Sequence, residues 1–98
     1  MLKVTDESRL RRTSCQGYLW TTYAELVTRF GETSRKGSPD RKCQAEWWLQ
    51  AADGMYLANY DYREAVSPDR VTCWHIGGRS RAVVHWVDMA FPGLTRAQ

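Results

Sequence analysis

From residue 17 onward the hydrophobic positions follow two periods, one of two residues and one of three to four. GYLW, 17–20, has the look of a short strand, and it leads into TTYAELVTRFG, where Tyr23, Leu26, Val27 and Phe30 recur at i, i+3, i+4 and i+7. That spacing predicts a helix. Thr22 and Glu25 stand three residues apart, as in a capping box, and Gly31 suits the position just beyond a helix that often needs positive φ. ETSRKGSPDRK, 32–42, has the composition of an exposed loop. In CQAEWWLQAADGMYLANYDYRE, Asp53-Gly54 separates two β-prone runs and predicts a two-residue type I′ hairpin. With Ala52 opposite Met55, Trp47 faces Tyr60, Leu49 faces Ala58 and Ala45 faces Tyr62 on the core side. The same register sets Glu46 against Asp61 and Trp48 against Asn59 on the other side. AVSPDR, 65–70, reads as a second loop, and VTCWHI as a third strand of the meander, with Trp74 and Ile76 pointing one way and Cys73 and His75 the other. After Gly77-Gly78, Val83, Val84, Val87, Ala90 and Phe91 form one helical stripe opposite Arg81, His85 and Asp88, until Pro92-Gly93. The order β-α-β-β-β-α predicts an α+β domain: an antiparallel sheet of three to four strands with two helices on one face. Residues 1–16, carrying Lys3, Arg9, Arg11 and Arg12, are expected to form a basic, loosely ordered arm ahead of a single domain over 17–98.

A chain of 98 residues supports one core. Five Trp and five Tyr, within 43% hydrophobic residues, predict that the core is aromatic-rich. The net charge of +3 leans weakly toward an anionic partner and argues against mimicry of DNA, which needs clustered negative surface. No apolar run matches a signal peptide or a bilayer span, so a cytoplasmic location and no membrane partner are expected. Cys15, Cys43 and Cys73 are odd in number and far apart, which fits reduced thiols. Their spacing matches no zinc finger, and neither a metal nor a cofactor is expected.

WHIGGRSR, 74–81, is the strongest candidate for chemistry. A glycine pair before a helix leaves backbone N–H groups unpaired at the positive end of the helix dipole. Arg79 and Arg81 would add forked donors there, so Gly77, Gly78, Arg79, Ser80 and Arg81 form a candidate anion or nucleotide site. The plain alternative is a tight strand-to-helix turn, since no Walker or dinucleotide fingerprint is present. The facing pair Glu46 and Asp61 requires a cation such as Lys42 or Arg63 nearby, or else marks a ligand or catalytic dyad. With Cys73 and His75 beside it, that pair is also the best enzyme case the chain offers, without a nucleophile motif to support it. A partner-binding surface is expected from Glu46, Trp48, Asp61, Arg63 and His75 on the open sheet face and from Arg35 and Lys36 in the basic loop.

The α-β-β-β-α order from Thr22 to Phe91 resembles double-stranded RNA-binding domains, whose last helix begins with a glycine-and-basic segment that clamps phosphates. GGRSRAVV stands in that place, but Ser80 separates its arginines where that family has consecutive lysines. Over residues 22–84, the helix ending in Phe-Gly, AEW, DG, YDYRE and WHIGG resemble a scattered group of small bacteriophage-encoded proteins. Thr33 stands where these tend to have a proline, and Asn59 where they tend to have an aliphatic residue. The resemblance implies a non-enzymatic, anti-CRISPR-like inhibitor of bacterial defence acting in the infected host's cytoplasm. Its expected partner is a defence protein or ribonucleoprotein, or a phosphate-bearing nucleotide signal, and the nucleotide case predicts a homo-oligomer. A double-stranded RNA-binding module and a small nucleotide hydrolase built on Glu46, Asp61 and His75 are the alternatives.

Overall fold

A computed structural model of the chain describes residues 2–6, 13–36 and 42–98, with the side chains of 35 and 36 outside that description. The elements run β1 (Leu2–Val4), β2 (Ser14–Trp20), α1 (Tyr23–Phe30), β3 (Arg35–Lys36), β4 (Ala45–Ala51), β5 (Tyr56–Tyr60), a 3-10 turn at Pro68–Arg70, β6 (Cys73–Gly78), α2 (Ala82–Ala90) and β7 (Thr95–Ala97). All strands join one antiparallel sheet in the order β1-β4-β5-β6-β2-β7, with β3 also on β4. Both helices pack on one face, as the periodicity predicts. Thr22 Oγ1 accepts the Glu25 N–H at 3.2 Å, and Gly31 ends α1 with φ +83°.

The core between sheet and helices joins Leu19, Trp47, Leu49, Leu57, Trp74 and Ile76 to Leu26, Val83, Val84, Val87 and Phe91. Trp47 and Trp74 meet edge to face at 5.5 Å, and Tyr23 leans on both. A buried indole needs a partner for its N–H. Trp47 donates to the Gly31 carbonyl at 2.9 Å and Trp74 to the Thr21 carbonyl at 3.1 Å, which fastens both ends of α1 to the sheet.

The sheet is wider than the sequence predicts. Leu2–Val4 is a strand on the edge of β4, and Ser14 and Cys15 already belong to β2, so these parts of the expected arm are structural. Covering the exposed edge of β4 explains the recruitment of β1, since an open edge is a template for wrong pairing. Arg9, Arg11 and Arg12 lie outside the described residues. At the opposite edge, β7 is tied down by Asp88, whose Oδ1 accepts from Thr95 Oγ1 at 2.6 Å and from Gly93 N at 3.2 Å.

The hairpin register differs by one residue from the predicted one. A type I′ turn needs positive φ at both central residues. Gly54 has it, at +91°, and Asp53 does not. The loop is instead three residues, Ala52 to Gly54: Gly54 N donates to Ala51 O at 2.9 Å, Ala51 N donates to Met55 O at 2.8 Å, and Asp53 Oδ1 accepts the Met55 N–H. Glu46 therefore pairs with Tyr60, Trp47 with Asn59 and Leu49 with Leu57. A one-residue shift exchanges the two faces of a strand. Leu57 gains the core, Tyr60 moves to the open face, and Asn59 and Asp61 become fully buried.

The two buried polar residues are treated differently. Asp61 Oδ1 accepts the backbone N–H groups of Gln44 and Ala45 at 2.8 Å each, and Oδ2 accepts Gln44 Nε2 at 3.2 Å. Neither polar atom of the Asn59 amide has a hydrogen-bond partner among the described residues. A buried amide without partners costs about 1–3 kcal/mol. Asn59→Leu, which has the same branched shape, is accordingly expected to raise the urea midpoint by an amount worth about 1–2 kcal/mol; a lower midpoint would contradict this account of Asn59.

Candidate functional site: the aromatic sheet face opposite the helices

No described helix lies over the second face of the sheet. Cross-strand pairing fixes what stands there, because directly paired residues share a side. Glu46, Tyr60, His75, Tyr18 and Arg96 follow one another in register across β4, β5, β6, β2 and β7, and Arg35 in β3 is paired with Glu46. A parallel row runs through Trp48, Ala58, Gly77 and Cys15, and Trp20 pairs with Cys73.

The glycine pair serves this packing. Gly77 and Gly78 lie within β6, paired with Ala58 and Leu57 on one side and with Cys15 and Ser14 on the other. A Cβ on Gly77 would stand 2.9 Å from the Tyr60 ring, and one on Gly78 would stand 2.7 Å from Val83 Cγ2. The start of α2 is satisfied by the chain itself: Ser80 Oγ accepts the Ala82 N–H, Ser80 O the Val83 N–H and Arg81 O the Val84 N–H. Of the expected anion site, Gly77 and Gly78 are therefore close-packed strand residues and Ser80 belongs to a turn hydrogen-bonded by the chain itself, with Arg79 and Arg81 exposed beside it. Gly78→Ala is expected to cost about 1–3 kcal/mol in a urea titration, because Val83 sits in the core and has little room to yield.

His75 is the centre of the open face. Its ring stacks on Tyr60 at 5.3 Å with an interplanar angle of 25°, and Tyr18 and Tyr62 meet it edge-on at 5.3 and 5.7 Å. Cys15 Sγ lies 3.5 Å from its Nδ1. The β-bulge between Cys15 and Gly17 makes that contact, because strict alternation from Tyr18 would turn Cys15 to the core side. Tyr18 and Trp20 are in contact at 6.2 Å, and both line a shallow groove of about 410 Å³ with Cys73, Arg96, Ala97 and Gln98. Arg63, in left-handed backbone conformation with φ 52°, holds its guanidinium 5.4 Å over the Tyr62 ring. Trp20 is 44% exposed and Tyr62 38%.

Burial lowers the pKa of His75, against the opposing pull of Glu64 and Asp61, and burial also raises those of Tyr60 and Cys73. The ring cluster is therefore held neutral. A histidine whose folded pKa lies below its unfolded value favours the folded state above the unfolded pKa, about 6.5, and loses that contribution as pH falls toward the folded value. The groups facing it are Cys15 and Tyr18 from β2, Tyr60 from β5, Cys73 on its own strand, and Asp61, Tyr62 and Glu64 from the following loop. Across pH 7.5 to 5, thermal melts of His75→Gln are expected to fall less steeply than those of the native chain; parallel slopes would contradict the assignment.

Of the residues expected at a partner surface, Glu46, Trp48 and His75 stand on the open face and Arg63 borders it. Arg35 and Lys36 lie in β3 at the β4 edge. Asp61 is corrected: it is internal, and its oxygens clamp the start of β4. The facing carboxylate pair does not form, and with it the arrangement of Glu46, Asp61 and His75 expected of a hydrolase. Tyr18, Trp20, Tyr60, Tyr62, Cys15 and Arg96 belong to the face and escape the sequence reading. For Tyr60 the signal was masked by the assumed turn, and for Cys15 by the bulge. Tyr18 and Trp20 could have been read from the alternation in GYLW. Among the described residues, no three His, Cys, Asp or Glu side chains could hold a metal ion together, and no helix is long and apolar enough to cross a membrane. The chain matches no family model, no curated protein and no solved structure.

Proposed function

We propose that this chain is a non-enzymatic binding protein that works through the sheet face that no described helix covers, occupying a partner and so blocking it. The observation that carries the reading is the unbroken row Tyr60, His75, Tyr18 and Arg96, extended by Trp20 and Tyr62, on a side that no described helix covers. Aromatic rings with polar rims and arginine are the side chains that dominate recognition surfaces, because they bury large area at low entropic cost. Close packing of His75 by three tyrosines holds the centre of the surface in one arrangement before any partner arrives.

The resemblance to small phage-encoded proteins directs the choice of partner to bacterial defence, as an effector protein or ribonucleoprotein in the host cytoplasm. A nucleotide signal held at the glycine corner is disfavoured by the self-satisfied amides there. The row is complete within one chain, so this reading does not require a homo-oligomer. Affinity capture from infected-cell lysate with the native chain and with a Trp20→Ser/Tyr62→Ser variant tests it. A partner retained by the native chain and lost by the folded variant is expected. Equal retention by both would place the contact surface elsewhere.

A further inference from the structure

We infer that the open sheet face is a platform for single-stranded nucleic acid, a reading that rests on the face being the contact surface. Ala58 and Gly77 lie beside the row, so the rings have small neighbours, and the Tyr60 ring packs closely over Gly77. The rings touch in sequence, Trp20 to Tyr18 at 6.2 Å, Tyr18 to His75 at 5.3 Å and His75 to Tyr62 at 5.7 Å. Bases stack on such surfaces with little regard for sequence, because every base has a π-face.

Charge complements the rings. Arg96 pairs with Tyr18 on β7 and lines the groove with Tyr18 and Trp20, and Arg63 lies over Tyr62 beyond the end of β5, so an arginine borders the aromatic run on each side. From β7 to β5 are three strand spacings, roughly 14 Å. A sheet surface of that width carries two or three stacked bases in other single-strand readers, and the two arginines would meet the phosphates that flank them. A duplex keeps its bases stacked on one another and offers no free π-face to this strip. Glu64, next to Arg63, opposes the binding of a polyanion and gives an opposite-sign control.

The test uses the full chain and short fluorescein-labelled oligonucleotides of mixed sequence, single-stranded DNA, single-stranded RNA and duplexes of the same length, read by anisotropy. Single strands are expected to bind at least tenfold more tightly than duplexes. Log affinity should fall against log salt with a slope of about −1.4, from two phosphate contacts at about −0.7 each. Trp20→Ala and Tyr62→Ala, both at exposed positions, should each weaken binding about tenfold. Arg63→Asn, chosen because asparagine tolerates left-handed backbone, should shrink the slope by about 0.7. Glu64→Gln should tighten binding. Circular dichroism melts confirm that each variant is folded. Preference for duplex, or single-strand binding untouched by the ring variants, would overturn the inference. If no oligonucleotide binds while Trp20→Ser/Tyr62→Ser still abolishes capture of a protein partner, the nucleic-acid inference fails and the face remains the contact surface. If capture also survives that variant, both fail together.

Discussion

Asp61→Ala is expected to destabilise the fold by about 3–5 kcal/mol. Asp61 is fully buried, and one of its oxygens accepts two backbone N–H groups, from Gln44 and Ala45, at 2.8 Å. Truncation leaves both donors without that acceptor where β4 begins, each at about 1–3 kcal/mol, and opens a small void as well. A domain of this size has about 5–15 kcal/mol in total, so a melting temperature lower by at least 12 °C is expected. Asp61→Asn keeps an acceptor oxygen at the site and should cost less than half as much. Equal losses from the two variants would mean that charge, rather than the clamp on the two amides, matters here.

Gly17→Ala is expected to release the last strand. A Cβ at residue 17 would lie 2.5 Å from the Arg96 carbonyl oxygen and 2.9 Å from Val84 Cγ2. The first neighbour is backbone of β7, paired with residue 17 itself through Ala97, and the second is a core side chain at the start of α2. Neither can give way cheaply, so the edge strand is the part that moves. Overpacking of this kind costs about 1–3 kcal/mol, to which the lost pairing of three residues adds. Hydrogen exchange should show the amides of 95–98 losing protection while those of β4 and β5 keep theirs. Because Arg96 stands opposite Tyr18 on the open face, the same variant should also weaken partner binding. Unchanged exchange at 95–98 would contradict the tight approach of β7 to Gly17.

The sequence carried the fold where local signals agreed with tertiary packing. The helix of Tyr23, Leu26, Val27 and Phe30, with its threonine cap and terminal glycine, formed as the period and capping spacing predict. The stripe of Val83, Val84 and Val87 also went indoors. Cys73 and His75 emerged opposite Trp74 and Ile76, as alternation requires. Short edge strands were illegible because Leu2–Val4 and Thr95–Ala97 have too few residues to show a period; only the neighbouring edges of β4 and β2 give them reason to extend. The candidate site was half legible. Trp48, Glu46 and His75 were assigned to the open face correctly, but Asp-Gly was compatible with both a two-residue and a three-residue loop. Packing decided between them: the three-residue loop buries Leu57 and shows Tyr60 to the open side, at the cost of enclosing Asn59 and Asp61. Gly77-Gly78 misled for a related reason. A glycine pair before a helix serves either an anion or a close neighbour, and here the neighbours are the Tyr60 ring and Val83.

The claim that the aromatic side of the sheet is the contact surface is tested most directly by oxidative footprinting of the chain alone and in complex with its captured partner. Tyr18, Trp20 and Tyr62 on that side should become protected, while Trp86 and the exposed Met89 on α2 keep their reactivity. Protection of Trp86 and Met89 with Trp20 and Tyr62 still reactive would place the partner on the helices and contradict the account.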